Sequence, residues 1–336
     1  MKKEAMFFER LDGKAVHCFL CAHQCRISPG NFGVCGVRQN IDGTLFTLVY
    51  GEVIASHVDP IEKKPLYHFL PGSISYSIAT LGCNFKCGFC QNWQISQNSK
   101  KGSPVLEGRD IAPEIIVKDA LNQGCKSISY TYTEPTIFFE YAYDTSKLAK
   151  ESGLYNVFVT NGFMTVESLE TIRPFLDAVN IDLKSFRDEY YRRVCKARLE
   201  PVLKTIEEIR KMGIWMEITT LVITNENDSE EELNDIAEFI SRIDPGIPWH
   251  ISRFHPDYQF SNYSPTPIET LRMAYDIGKR CGLKYVYLGN VSEKHNTYCF
   301  NCQRLLIERA YMGIYNKNLK SDECKFCGTK IEGVWG

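Results

Sequence analysis

Cys83, Cys87 and Cys90 lie in one short string, Leu81-Gly82-Cys83-Asn84-Phe85-Lys86-Cys87-Gly88-Phe89-Cys90-Gln91-Asn92-Trp93. Thiolates at this C-x3-C-x2-C spacing can bind three corners of a cubane iron–sulfur cluster, and closing so short a loop costs little entropy. A cubane normally takes four thiolates. A triplet with no local fourth leaves one iron open to an outside ligand, which turns an electron carrier into a catalyst. Zinc or scattered buried thiols are the bland alternatives. Zinc, however, favours paired C-x2-C knuckles over a triplet.

The remaining cysteines partition. Cys18, Cys21, Cys25 and Cys35 form one group, and Cys299, Cys302, Cys324 and Cys327 another. Cys125, Cys195 and Cys281 stand alone and read as small buried hydrophobes. Eleven of the 14 cysteines fall in metal-like spacings, which argues against core packing as their general use. The C-terminal group is two C-x2-C knuckles 21 residues apart, a strong signature of a tetrahedral site. Zinc is the default there; a rubredoxin-like iron or an auxiliary cluster stays open, because spacing does not select the metal. The N-terminal group could hold zinc or a second 4Fe–4S cluster, with zinc the first expectation. One site shared by both groups is a third option.

The 336 residues carry a net charge of −2, so no basic excess points to nucleic acid. No apolar run reaches the roughly 18 residues a membrane span needs. The N-terminus turns charged again before a signal-peptide core could form. A cytoplasmic protein is expected, in which clustered cysteines serve metal or redox chemistry rather than disulfides.

Residues 1–74 read as a Cys-rich module, with a hairpin of Thr44–Tyr50 and Glu52–Val58 about Gly51 and a linker over Asp59–Pro65. From Ser75 strands and helices alternate. Strands are expected at Ser75–Thr80, Ser127–Thr131, Val157–Thr160, Ala178–Leu183, Trp215–Ile223, Trp249–Phe254 and Tyr285–Leu288. Helices are expected at Pro113–Asn122, Ile137–Glu151, Val166–Phe175, Pro201–Met212, Asp228–Ile243 and Pro267–Cys281. Regular alternation demands a parallel sheet. The units are too few for an eight-fold barrel, so the α/β core over 75–289 is read as a partial (β/α)6 barrel. Residues 290–336 form a zinc-ribbon-like knuckle tail.

The triplet, with Phe89 before its last cysteine and an apolar strand before it, resembles the radical S-adenosylmethionine (SAM) superfamily. That resemblance implies a 4Fe–4S cluster whose open iron is chelated by SAM, and a partial barrel. It also directs attention to the carboxyl ends of the strands, where parallel barrels place their chemistry. Tyr132-Thr133-Glu134-Pro135 resembles the Gly-Gly-Glu-Pro turn of glycyl-radical-enzyme activases, which implies that Glu134 receives the SAM amino group. Both glycines are replaced here. Thr160-Asn161-Gly162 resembles their Asp-Thr-Asn-Gly segment with Val159 for the Asp, so a monovalent cation site beside SAM should be weaker or absent. Asp182 and Lys184 share a strand face and resemble the pair that contacts the SAM ribose and carboxylate. His255 resembles a histidine near the ribose. His250, earlier in the same strand, is a weaker candidate.

Further strings narrow the resemblance: Cys18-Phe19-Leu20-Cys21, Cys35-Gly36-Val37-Arg38, Asp59 to Leu66, Gln91-Asn92-Trp93, the knuckles, and Gly333-Val334-Trp335. Together they resemble the radical SAM member of the AmmeMemoRadiSam system, related to pyruvate formate-lyase activating enzyme. What this implies is reductive cleavage of SAM to methionine and a 5′-deoxyadenosyl radical, with hydrogen abstraction from a protein or small molecule. It implies an external one-electron donor such as flavodoxin or ferredoxin, and a Memo-type protein as partner. Two rival destinations remain: a glycyl-radical activase, or a non-catalytic iron–sulfur or metal-binding protein.

Overall fold

Seven strands that read as apolar runs bounded by turn signals all pair side by side in the computed structural model. The structure describes residues 2–98, 107–292, 295–310 and 313–336. The strands are β2 (Ile74–Ala79), β3 (Ser127–Tyr130), β4 (Tyr155–Thr160), β5 (Ala178–Asp182), β6 (Trp215–Val222), β7 (Trp249–Arg253) and β8 (Val286–Gly289). They are parallel neighbours in chain order, and β1 (Ala55–Pro60) adds an antiparallel edge beside β2. The order is linear, so the sheet is open. Helices α1 (Pro113–Asn122), α2 (Phe139–Glu151), α3 (Val166–Ile172), α4 (Glu200–Met212), α5 (Glu230–Ile243) and α6 (Ile268–Arg280) fill the six crossovers. This is the expected partial barrel, its six β–α units and final parallel strand in place, with one antiparallel edge strand added.

Local chemistry explains the helix ends. Pro113 occupies the first turn of α1, where its missing N–H is no loss. The Ser229 side chain accepts the Glu232 amide ahead of α5, whose first turn is acidic. Gly213 closes α4 in the left-handed region.

The N-terminal segment departs from expectation. Thr44–Thr47 does not pair with residues 52–58; its hairpin partner is Arg38–Ile41. The turn is Asp42-Gly43, both at positive φ, the strongest short hairpin signal in the sequence. Residues 55–60 are β1, so the N-terminal stretch contributes to the main sheet. The supposed linker is a folded corner: Lys63 and Lys64 donate to Asp59 at 2.8 and 2.7 Å.

The tail makes a three-stranded sheet, Thr297–Tyr298, Leu305–Ala310 and Gly313–Lys317, and docks on the barrel. The Leu70 and Val334 amides donate to the Val334 and His68 carbonyls, each at 2.7 Å. Among the described residues no helix is long and apolar enough to cross a membrane.

Candidate active site

The chain leaves β2 through Thr80 and Leu81 into Gly82, whose φ of +93° suits glycine. A Cβ there would stand 2.7 Å from Val37 and 3.1 Å from the Cys35 carbonyl. The tight turn delivers the cysteine triplet to the carboxyl ends of the strands. A neighbouring loop after β7 covers it: the Gln259 amide donates to the Gly88 carbonyl at 3.0 Å, and Tyr258 stacks on Trp93.

Cys83, Cys87 and Cys90 border a cavity of about 580 Å³. Phe89, Glu134, Thr160, Asn161, Asp182 and Lys184, all singled out in the sequence, line the same space. Lys64, Asn92, Tyr132, Ser252 and Asn290 line it as well. Each triplet sulfur has a polar neighbour. The Phe85 amide donates to Cys83 Sγ at 3.4 Å, with Asn161 Nδ2 at 3.9 Å. Cys90 Sγ lies 3.1 Å from the Ser96 hydroxyl. Cys87 meets the thiol of Cys195, whose hydrogen bond and then burial raise the Cys87 pKa well above its ordinary value. Burial first, then neighbouring charge, does the same for Cys83. Such thiols give up their protons to a metal rather than to water. Asn84 Nδ2 is buried beside Cys83 without a partner among the described residues, an orphan donor that a cluster sulfide would satisfy.

Glu134 is a brace between two strand ends. Its Oε1 accepts from the Thr136 amide at 3.0 Å, the Thr136 hydroxyl at 2.6 Å and the Thr160 hydroxyl at 2.7 Å. Its Oε2 accepts from the Asn161 amide at 2.8 Å. One acceptor position of Oε2 remains for a ligand. Burial pushes the Glu134 pKa up against these donors.

Asp182 and Lys184 form an ion pair at 2.9 Å. Burial opposes the Lys184 charge, but Asp182 and the Cys87 and Cys195 sulfurs outweigh it and raise its pKa. The ammonium stands 5.6 Å from the Phe89 ring centre.

Tyr132 takes a φ of +61°, the conformation a glycine would adopt freely. Tertiary contacts hold it there. Its hydroxyl donates to Asp59, its carbonyl accepts Asn92 Nδ2 at 2.9 Å, and Lys64 Nζ lies 4.5 Å from its ring centre. Burial opposes the Asp59 charge, yet Lys63, Lys64 and Tyr132 keep its pKa below the usual carboxylate range.

His255 does not line the cavity; it is exposed and accepts from Gln91 Nε2 at 2.7 Å. His250 is further removed, buried 2.6 Å from Glu217 beneath the tail. Cys195, Asn84, Lys64 and Asp59 were missed as site residues. The Asp59–Lys64 charge cluster was a readable signal; Cys195 offered none, because tertiary packing alone brings it to Cys87.

The flanking groups differ from each other. In the tail, the ligand atoms of Cys299, Cys302, Cys324 and Cys327 all lie within 4.8 Å of one another. The Cys299–Cys327 and Cys302–Cys324 sulfurs are 3.7 Å apart. A tetrahedron with metal–sulfur bonds of about 2.3 Å has edges of about 3.8 Å, so one ion fits. The N-terminal and C-terminal groups belong to separate cores, which excludes the shared site.

Comparison with known proteins agrees with this geometry. Residues 77–240 match the Radical SAM superfamily. An uncharacterized protein of Methanocaldococcus jannaschii is 47% identical over 99% of both chains. A putative glycyl-radical enzyme activating enzyme of that organism is 27% identical over 53% of this chain and 66% of its own length. The crystal structure of Streptococcus suis SuiB bound to S-adenosylmethionine superposes with a TM-score of 0.52 at 14% identity, over 69% of this chain and 53% of that one. The likeness in fold, the matched segment and the cysteine-lined cavity converge: the chain belongs to the radical SAM superfamily.

Proposed function

We propose that this protein is a radical SAM enzyme in which Cys83, Cys87 and Cys90 hold a 4Fe–4S cluster and the cavity beside them takes SAM. One observation carries the reading: three sulfurs and the Asp182–Lys184 pair border one cavity at the carboxyl ends of parallel strands. Held by Cys83, Cys87 and Cys90 and reduced by one electron from outside, such a cluster would supply the electron for cleavage of SAM to methionine and a 5′-deoxyadenosyl radical, and hydrogen abstraction from a protein or small-molecule substrate would follow.

The side chains supply binding and order. Lys184 offers its ammonium to the SAM carboxylate and Asp182 accepts from a ribose hydroxyl. Glu134 Oε2 accepts from the amino group with its remaining lone pair. Phe89 keeps water from the sulfurs. Val159 borders the cavity and has no side-chain oxygen to offer a cation. His255 acts through Gln91 as a positioning residue. The tail knuckles hold a structural zinc.

The motif strings favour the AmmeMemoRadiSam branch, with flavodoxin or ferredoxin as cytoplasmic electron donor and a Memo-type protein as partner. The Glu134-Pro135 turn and the activase-named relative support a second reading, a glycyl-radical activase. The first test is anaerobic incubation with dithionite and SAM, followed by quantification of 5′-deoxyadenosine. The native chain should produce it, and Cys87→Ala should fall to background. Retained product in that variant sinks the proposal. An EPR doublet appearing on a glycyl-radical enzyme would select the second reading.

A further inference from the structure

We infer that Cys18, Cys21, Cys25 and Cys35 hold a second, fully protein-ligated 4Fe–4S cluster packed against the loop of the first. The argument begins with convergence. Cys18 and Cys25 face each other across an antiparallel pair of strands, Val16–Cys18 and Cys25–Ile27, so both side chains project from one face. A tight turn with the Gly36 amide donating to the Gly33 carbonyl returns Cys35 to the same place. All four cysteines are free thiols. Cys21 lies in the turn that joins these two strands, where its carbonyl accepts the Gln24 amide at 3.0 Å.

The separation of the sulfurs selects the guest. In the tail, four sulfurs close to single-ion distance. Among the described residues, neither the N-terminal group nor the catalytic triplet brings three sulfurs within that 4.8 Å limit. A cubane is itself several ångströms across and holds its ligands farther apart than one ion does. The N-terminal group therefore resembles the cluster-binding triplet and not the knuckles of the same chain.

Two further features fit such a guest. Gly33 keeps a φ outside the left-handed region, so its backbone does not require glycine. A Cβ there would lie 3.4 Å from Ile27 Cδ1 and 3.8 Å from both Cys25 Sγ and Cys35 Sγ, so a larger side chain would crowd both sulfurs. Arg38 is 2% exposed, and its carbonyl accepts the Gly33 amide at 2.9 Å, beside Cys35. Among the described residues its Nε–H is buried without a partner, a donor to which a cluster sulfide could act as acceptor.

The location gives the site its use. The Cys35 carbonyl packs against Gly82, which precedes Cys83. His23, between Cys21 and Cys25, donates from Nε2 to the Asn84 carbonyl at 2.8 Å. With four cysteine ligands no iron is open to substrate, so the cluster's chemistry is electron transfer. It would take one electron from a reduced low-potential flavin or iron–sulfur protein, which is oxidised by one electron, and pass it to the cluster proposed at the triplet, which is reduced by one electron, its own ligands unchanged.

The test uses the full chain, reconstituted anaerobically with iron and sulfide, with iron, sulfide and zinc counted per chain. About eight iron are expected in the native protein, and about four in a Cys83→Ala/Cys87→Ala/Cys90→Ala variant. After dithionite, that variant should keep an EPR signal that SAM does not alter. Gly33→Leu should lose this signal and keep the SAM-responsive one. A triplet variant without iron, or a native chain with about four iron and two zinc, overturns the inference. Loss of only the SAM-responsive signal in the native chain would refute the enzymatic reading and leave this one standing.

Discussion

Glu140→Gln should unfasten the N-terminal module from the barrel. Arg38 and Glu140 are 2% and 1% exposed and lie far apart in sequence, one in the N-terminal hairpin and one on α2. Arg38 Nη2 donates to both carboxylate oxygens at 2.5 Å, and the Met6 amide donates to Oε1 at 2.6 Å. Arg38 Nη1 donates back to the Met6 carbonyl at 3.1 Å. Neutralising one partner leaves a buried guanidinium without its counter-charge, a loss of about 3–5 kcal/mol. Urea unfolding, followed by fluorescence with the slope held free, reads this directly. The control is the double replacement Arg38→Met/Glu140→Leu. Removing both charges should recover at least ~2 kcal/mol of the single variant's loss, although the Met6 amide still lacks its acceptor. A Glu140→Gln cost below ~1 kcal/mol at unchanged slope would refute the pair as the anchor of the module.

Two shorter predictions follow from buried groups. Burial lowers the His68 pKa from 6.5 to about 4, with Nδ1–H donating to the Glu332 carbonyl and Nε2 accepting from Tyr287. Its folded pKa is depressed, so its contribution is complete above pH 6.5 and is lost as pH falls toward 4; this amounts to about 3 kcal/mol. Denaturant midpoints measured across that window should fall with acid, and a flat profile would contradict the assignment. Cys195→Ala should make the triplet cluster harder to reduce by roughly 20–40 mV, because a thiol that can donate to the Cys87 sulfur is lost. EPR-monitored redox titration reads the shift, Cys195→Ser should restore it, and a change under ~10 mV would exclude the contact as a tuning device.

The parts of the site legible in sequence were those whose spacing is local. The triplet, Glu134, and Asp182 with Lys184 could be placed because strand ends follow from β–α alternation, and Asp182 and Lys184 share a face by the period of two. The first hairpin was missed because Gly51 was read as the turn while Asp42-Gly43 was passed over. What no local pattern could supply was the contact between distant segments. Cys195 reaches Cys87 because the Lys86 amide donates to its carbonyl at 2.9 Å. Tyr132 is held in a glycine's conformation in part because Asp59, some seventy residues earlier, accepts its hydroxyl. The stretch read as a linker is thus what stabilises the departure from the glycine motif. A left-handed tyrosine costs on the order of 1–3 kcal/mol unless the fold holds it. The Asp59–Lys64 corner and the Tyr132 turn are therefore one device, and a chain that carried the tyrosine without the acid would disturb the cavity wall.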